Sequence, residues 1–148
     1  MCATSSLAIR VLIVDDDPDI VTVSAALLTA NGCDVSATHD PNAALATASV
    51  FRPDVLLTDV AMTGMLGVEL ACKVVEAVPT CRVVFHTGEA RLIRNCGLAI
   101  ALPGFAILEK PVAVGDLLRE VIGHPVRKRP PVSLRMRHSA KRKFKRLG

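Results

Sequence analysis

The chain has no tryptophan, no tyrosine and only four phenylalanines in 148 residues. Aromatic platforms on which single-stranded nucleic acid could stack are therefore scarce, which disfavours the RNA-binding folds built on them. The five cysteines, Cys2, Cys33, Cys72, Cys81 and Cys96, are odd in number and never spaced as CxxC. That argues against a disulfide framework and a zinc site, and the thiols read as small buried hydrophobes in a reducing compartment. His39, His86, His124 and His138 show no metal-ligand spacing either. Apolar runs stop after a handful of residues, well short of the roughly 20 needed to span a membrane. Met1 to Arg10 lack the basic start and apolar stretch of a secretory signal. The expectation is a cytoplasmic protein with no transmembrane segment and no internal repeat.

What the chain does have is apolar content and a lopsided charge. Hydrophobic residues make up 51% of the sequence, enough for one domain with a proper core. The net charge of +4 conceals two halves: residues 1–124 hold 8 Lys/Arg against 14 Asp/Glu, and residues 125–148 hold 10 against none. The organisation expected is an acidic domain over residues 8–123 followed by a basic, flexible tail over 124–148. Pro125, Pro130 and Pro131 and the run from Lys141 to Arg146 mark the tail.

Within the domain, short apolar runs alternate with helix-like segments five times. The strands predicted are Ile9 to Val14, Asp34 to Thr38, Val55 to Thr58, Arg82 to His86 and Phe105 to Leu108. All but the more polar Asp34 to Thr38, which suits a place near an edge, are apolar enough to be buried on both faces. Asp17-Pro18 and Asp40-Pro41 each put a capping carboxylate before a proline at the first helical position. The first helix, Pro18 to Ala30, is read as presenting Ile20, Val23, Leu27 and Leu28 on one face, with Asn31-Gly32 as its stop. Further helices are predicted over Gly67 to Ala77, Ala90 to Ala101 and Val112 to Ile122. Strand followed by helix, repeated, means a doubly wound α/β sheet, whose function sits at the carboxyl ends of the strands.

The polar residues of interest fall at those ends. Val11 to Val14 runs into Asp15-Asp16-Asp17, and Val55 to Thr58 runs into Asp59. Neighbouring strand ends would gather carboxylates whose repulsion a hard cation must relieve, and Mg²⁺ suits such a site because it takes a few carboxylates and leaves room for phosphate oxygens. Thr87 after the fourth strand and Lys110 after the fifth add a hydroxyl and an ammonium, which together with the metal match three phosphoryl oxygens. Asp17 reads as a helix cap, and Asp19, Asp40, Asp54 and Asp116 as caps or solvent-facing carboxylates. Met62 and Met65 read as packing residues.

In its VLIVDDDPDI run over residues 11–20, DVLLTD over 54–59, the Met62 to Gly67 segment, VVFHT over 83–87 and Lys110-Pro111, the sequence closely resembles the response-regulator receiver domain of two-component signalling. The resemblance covers roughly residues 8 to 122. It implies a five-stranded parallel sheet of flavodoxin-like order 2-1-3-4-5 flanked by five helices. It also implies that Asp59 takes phosphate from a sensor histidine kinase, a phosphotransfer protein or a small phosphodonor. Asp16 and Asp59 would ligate Mg²⁺ directly, Asp15 mainly through water, and the backbone carbonyl of Ala61 would add an oxygen. Thr87 and Lys110 would bind the phosphoryl group, and the peptide before Pro111 would be cis. No residue is assigned to turnover catalysis, because the implied protein is a switch and not an enzyme.

Departures are as informative. Ile107 stands where the family usually has an aromatic residue three positions before the lysine, which puts the usual coupling of Thr87 to a ring in question. Phe105 is two positions off register. Thr63 and Leu66 replace a common proline and a common Asp or Asn, and the stretch from Thr87 to Lys110, with Pro103-Gly104 inside it, is about one residue longer than usual. Ala61 cannot orient a water as a polar side chain would, whereas Glu89 could. It also lacks the acid/base carboxylate of a hydrolase in the wider aspartyl-phosphate class. A stand-alone receiver that signals to an unknown downstream protein is the first reading, since the tail is too short for a helix-turn-helix output domain. The alternative is a receiver-regulated module that binds nucleic acid or an acidic scaffold through residues 125–148.

Overall fold

The computed structural model describes residues 8–94, 97 and 101–124. Five strands, β1 (Arg10–Val14), β2 (Asp34–Thr38), β3 (Val55–Thr58), β4 (Arg82–Thr87) and β5 (Ala106–Glu109), form one sheet in the order β2-β1-β3-β4-β5. Every pairing is parallel. Among the described residues the connections carry helices α1 (Pro18–Ala30), α2 (Pro41–Phe51), α3 (Gly67–Ala77), α4 (Ala90–Arg94) and α5 (Val114–Ile122). The expected doubly wound fold and strand order are present, with the polar β2 at an edge.

Side-chain alternation along the strands divides the core in two. Leu12, Val14, Leu56 and Phe85 face one way, toward Ala44 and Ala48 of α2, Leu70 and Val74 of α3, and Ile93 of α4. Val11, Ile13, Val55, Leu57 and Val84 face the other, toward Leu28 of α1 and Leu117 and Val121 of α5. Met62 and Met65 pack into the first cluster, as expected. Cys33 and Cys81 are buried and Cys72 is half-buried. Burial, reinforced by the charge of Asp54, pushes the Cys81 thiol up to about 12. Cys2 and Cys96 lie outside the described residues.

Several sequence expectations shift. The α1 face that meets the sheet is centred on Val21, Ser24 and Leu28, with Leu27 half-buried against the same cluster, whereas Ile20 is only partly covered and Val23 is exposed. Ser24 is small enough to let the helix sit close to the sheet, and Val23 is left 66% exposed. α5 begins at Val114 rather than Val112, after the chain leaves Pro111, and the strand ends move by one residue at β1, β4 and β5. A single helix does not continue from Ala90 to Ala101, because Gly97 takes a left-handed φ of 64°. Residues 95, 96 and 98–100 lie outside the described set. Asp54 is not solvent-facing: it is buried, and its Oδ2 accepts a 2.9 Å hydrogen bond from the backbone N–H of Arg10. It thereby ties the start of β3 to the start of β1. Asp17 and Asp40 do cap α1 and α2.

The basic tail lies outside the described residues beyond His124. His124 itself, assigned to the tail by sequence, sits 2.9 Å from Glu120 of α5. Glu120 in turn pairs with Arg82 at the start of β4, at 3.0 Å. No helix among the described residues is long and apolar enough to cross a membrane.

Candidate phosphoacceptor site

Sheet register builds the site. Val14 pairs with Thr58, so the residues that follow them, Asp15 and Asp59, emerge side by side, and the N–H of Asp59 donates to the carbonyl of Val14 at 3.1 Å. Thr87 pairs with Glu109, and the N–H of Lys110 donates to the carbonyl of Thr87 at 2.9 Å. Four of the residues singled out in the sequence therefore lie at the carboxyl ends of three adjacent strands, β1, β3 and β4, and of β5 beside them. The Lys110–Pro111 peptide is cis.

The Lys110 ammonium lies 2.8 Å from Asp15 Oδ2 and 3.2 Å from Asp59 Oδ2, bridging the two strand ends. Burial opposes its charge, but the hydrogen bonds and negative charges of Asp15 and Asp59 prevail, and its pKa lies above the ordinary lysine value. The other oxygen of Asp59, Oδ1, accepts from the N–H of Val60 at 2.7 Å, which fixes the carboxylate plane. Asp15 Oδ1 accepts from the N–H of Asp17 at 3.0 Å. Thr87 is fully buried, and its Oγ1 accepts from the N–H of Glu89 at 2.9 Å. Its hydroxyl hydrogen is thus left for another acceptor. Ala61 is exposed in the loop that follows Asp59.

Asp15, Asp16 and Asp59 each place a carboxylate oxygen within 4.8 Å of the others. Asp15 and Asp59 are buried and Asp16 is exposed, so the cluster opens to solvent on one side. One ammonium cannot balance three carboxylates this close. An all-oxygen donor set with excess negative charge and an open side fits Mg²⁺, which keeps several of its waters.

Three residues have surroundings that the sequence alone does not show. Gly67, at the start of α3, lies so close to the Asp59 backbone that an added Cβ would stand 1.8 Å from the Asp59 carbonyl oxygen. Its N–H donates to the carbonyl of Val60 at 2.7 Å, closing the loop behind the acceptor. The Thr58 hydroxyl donates to the Asp59 carbonyl at 2.9 Å. His86, next to Thr87, is buried on the opposite sheet face. Burial first, then the Lys110 ammonium, hold its pKa below the usual 6.5 against the pull of Asp15 and Asp59. The signal for Gly67 was present in its glycine identity. For Thr58 and His86 only the register reveals the surroundings.

Ile107 does sit where an aromatic was anticipated, packed half-buried against the first core cluster. The nearby ring is that of Phe105, which meets Phe85 edge to face at 5.8 Å and 76°. Phe105 precedes β5, so its ring packs toward the core of α3 and α4.

A parallel doubly wound domain with an acidic cluster at its switch point, a buried threonine and a bridging lysine defines a class of phosphate-handling α/β modules. The chain belongs to the response regulator receiver domain family, whose sequence model matches residues 11–122. It is 32% identical over 114 residues to the response regulator receiver protein CpdR of Brucella abortus, covering 76% of this chain and 92% of that one. It is 29% identical over 116 residues to the transcriptional regulatory protein TrcR of Mycobacterium tuberculosis, covering 78% of this chain and 44% of TrcR. A CheY-like receiver domain from Methanospirillum hungatei superposes with a TM-score of 0.71 at 30% identity, covering 77% of this chain and 90% of that one. Against the DNA-binding response regulator MtrA of Mycolicibacterium smegmatis the match covers only 35% of the relative's length. The chain thus spans well under two thirds of MtrA and of TrcR.

Proposed function

We propose that Asp59 is the phosphoacceptor of a two-component phosphorelay. The observation that carries this reading is the lysine bridge: Lys110 holds the Asp59 carboxylate at 3.2 Å beside a three-carboxylate cluster. Asp59 Oδ2 attacks the phosphorus of a phosphohistidine on a sensor histidine kinase or phosphotransfer protein. The P–N bond breaks, the imidazole leaves with the electron pair, and an acyl phosphate remains on Asp59. Lys110 then exchanges its contact with Asp59 for one with a phosphoryl oxygen, and the free hydrogen of the Thr87 hydroxyl turns to a second. Asp16, Asp59 and the Ala61 carbonyl, with Asp15 mainly through water, would hold Mg²⁺, which would neutralise charge on the phosphoryl oxygens.

Receiver domains are signalling modules, and in this reading the chain acts in the cytoplasm as a switch with no turnover substrate. The receiver comprises residues 8–123, and a downstream protein reads the phosphorylated face. The Ile107 substitution makes that readout depart from ring-coupled switching. A second reading is favoured by one observation, the ten positive and no negative charges of residues 125–148. In it, nucleic acid or an acidic partner binds that segment electrostatically. Deleting residues 125–148 separates the two, since only the second reading loses partner binding.

The phosphoacceptor assignment is tested by intact-mass measurement after incubation with Mg²⁺ and acetyl phosphate. The wild-type chain should gain one phosphoryl group, and Asp59→Asn or removal of Mg²⁺ should abolish the gain. A gain that survives Asp59→Asn would show that another residue is the acceptor.

A further inference from the structure

The face of the sheet opposite α3 carries an apolar groove of about 500 Å³ between α1 and α5. Ile20, Val23 and Leu27 form one wall and Val112, Val114 and Leu117 the other. Val23 is 66% and Val114 56% exposed, so β-branched side chains on both walls stand in water. Val23 marks the part of α1 that the sheet leaves uncovered, while Leu27 beside it also packs against the second core cluster. Asp19, His86 and Lys110 also line the groove, and Asp16 and Asp17 are exposed at the same end of α1.

The chain that follows α5 has the matching pattern. Val132, Leu134 and Met136 alternate with Ser133, Arg135 and Arg137, a period of two that puts three apolar side chains on one side of an extended segment and two arginines on the other. Pro130 and Pro131 immediately before it favour extended backbone. Reach is sufficient: residues 125–131 can span about 23 Å at 3.3 Å per residue, whereas α5, with 9 residues, is about 14 Å long. A chain leaving the end of α5 can return to the Val114 end. Charge favours the return as well, because residues 1–124 carry a formal −6 and residues 125–148 a formal +10.

We propose that residues Val132 to Arg137 fold back along α5 and occupy the α1–α5 groove. Val132, Leu134 and Met136 cover Val23 and Val114, and Arg135 and Arg137 lie toward Asp19 and its neighbouring carboxylates. The groove shares Lys110 with the phosphoacceptor site, so the docked segment flanks one approach to that site. The proposal does not depend on phosphorylation of Asp59, and its test uses none.

The test is a photoreactive p-benzoylphenylalanine placed at Val23 in the full chain, an exposed position whose replacement spares the core. Irradiation of a mixture of ¹⁵N-labelled and unlabelled chains, followed by peptide mass spectrometry, separates crosslinks within a chain from those between chains. The expected product is an intrachain crosslink to residues 132–137, lost in Leu134→Asp/Met136→Asp and weakened by high salt. Amide exchange of α1 and α5 should be several-fold faster in that double variant than in the wild type. Crosslinks only between chains would assign the groove to a second copy. Crosslinks confined to residues 138–148, no crosslink to the tail, or exchange unchanged by the double variant would each overturn the proposal.

Discussion

Asp59 owes its geometry to its neighbours, which hold one carboxylate oxygen on the Val60 N–H and the other on Lys110. What the site lacks is a polar side chain two residues further on, where Ala61 is exposed. Ala61→Asn should therefore give the phosphorylated protein an amide that can orient water, shortening the phosphoryl lifetime roughly tenfold, about 1.4 kcal/mol in barrier. Following the decay of the phosphorylated mass with time checks it, and an unchanged rate would contradict the assignment of position 61. His86 supplies a second residue-level prediction. Its pKa is lowered in the folded protein from 6.5, so below that value the unfolded chain binds a proton that the folded one does not. Stability contributed by neutral His86 is thus full above about pH 6.5 and falls as pH drops toward the folded pKa. In His86→Gln this part of the acid sensitivity should vanish, which thermal unfolding measured across pH 7.5 to 5 would show as a flatter profile.

At the scale of elements, the β3–α3 connection leaves no room for a side chain at Gly67. A methyl group at Gly67 cannot coexist with the Asp59 carbonyl, so Gly67→Ala must displace the loop or the helix start. We expect a loss of about 1–3 kcal/mol in denaturant unfolding together with slower phosphorylation, because the displaced segment carries Asp59. An unperturbed rate would show that the loop adapts without moving the carboxylate. Elements were the most legible part of this sequence. Short, β-branched apolar runs such as Val11 to Val14 and Val55 to Leu57 fit strands buried on both faces, and Asp-Pro pairs mark α1 and α2 by capping chemistry. The candidate site residues Asp15, Asp59, Thr87 and Lys110 stood out because each lies at or just beyond the end of a strand. Contacts that depend on register were not. Asp54 reads from sequence as a cap or solvent-facing carboxylate, whereas parallel pairing of β1 with β3 sets it against the Arg10 N–H. The sheet-facing side of α1 was misread because Ser24 is buried while Val23 is not. Hydrophobicity alone cannot separate a helix face that meets the sheet from one that borders a groove.

Viewed whole, the molecule joins an acidic receiver to a strongly basic segment, and its overall pI of 9.0 describes neither. Electrostatic attraction between the two parts weakens with salt, so the same charges can act within the chain, through the α1–α5 groove, or toward an external polyanion. At the carboxyl ends of the strands, next to that groove, carboxylates from β1 and β3 meet the Lys110 ammonium from the end of β5, with Thr87 buried at the end of β4. At the far edge of the sheet, Ile107 packs half-buried on the first core cluster and the ring of Phe105 packs on Phe85. The central claim is chemical and concerns Asp59. Its most direct measurement is borohydride reduction of the protein after treatment with Mg²⁺ and acetyl phosphate, which converts an aspartyl phosphate to homoserine, followed by peptide sequencing. Homoserine at position 59 alone, and only when Mg²⁺ was present, is the predicted result; homoserine at position 15 or 16, or at none, would contradict the account.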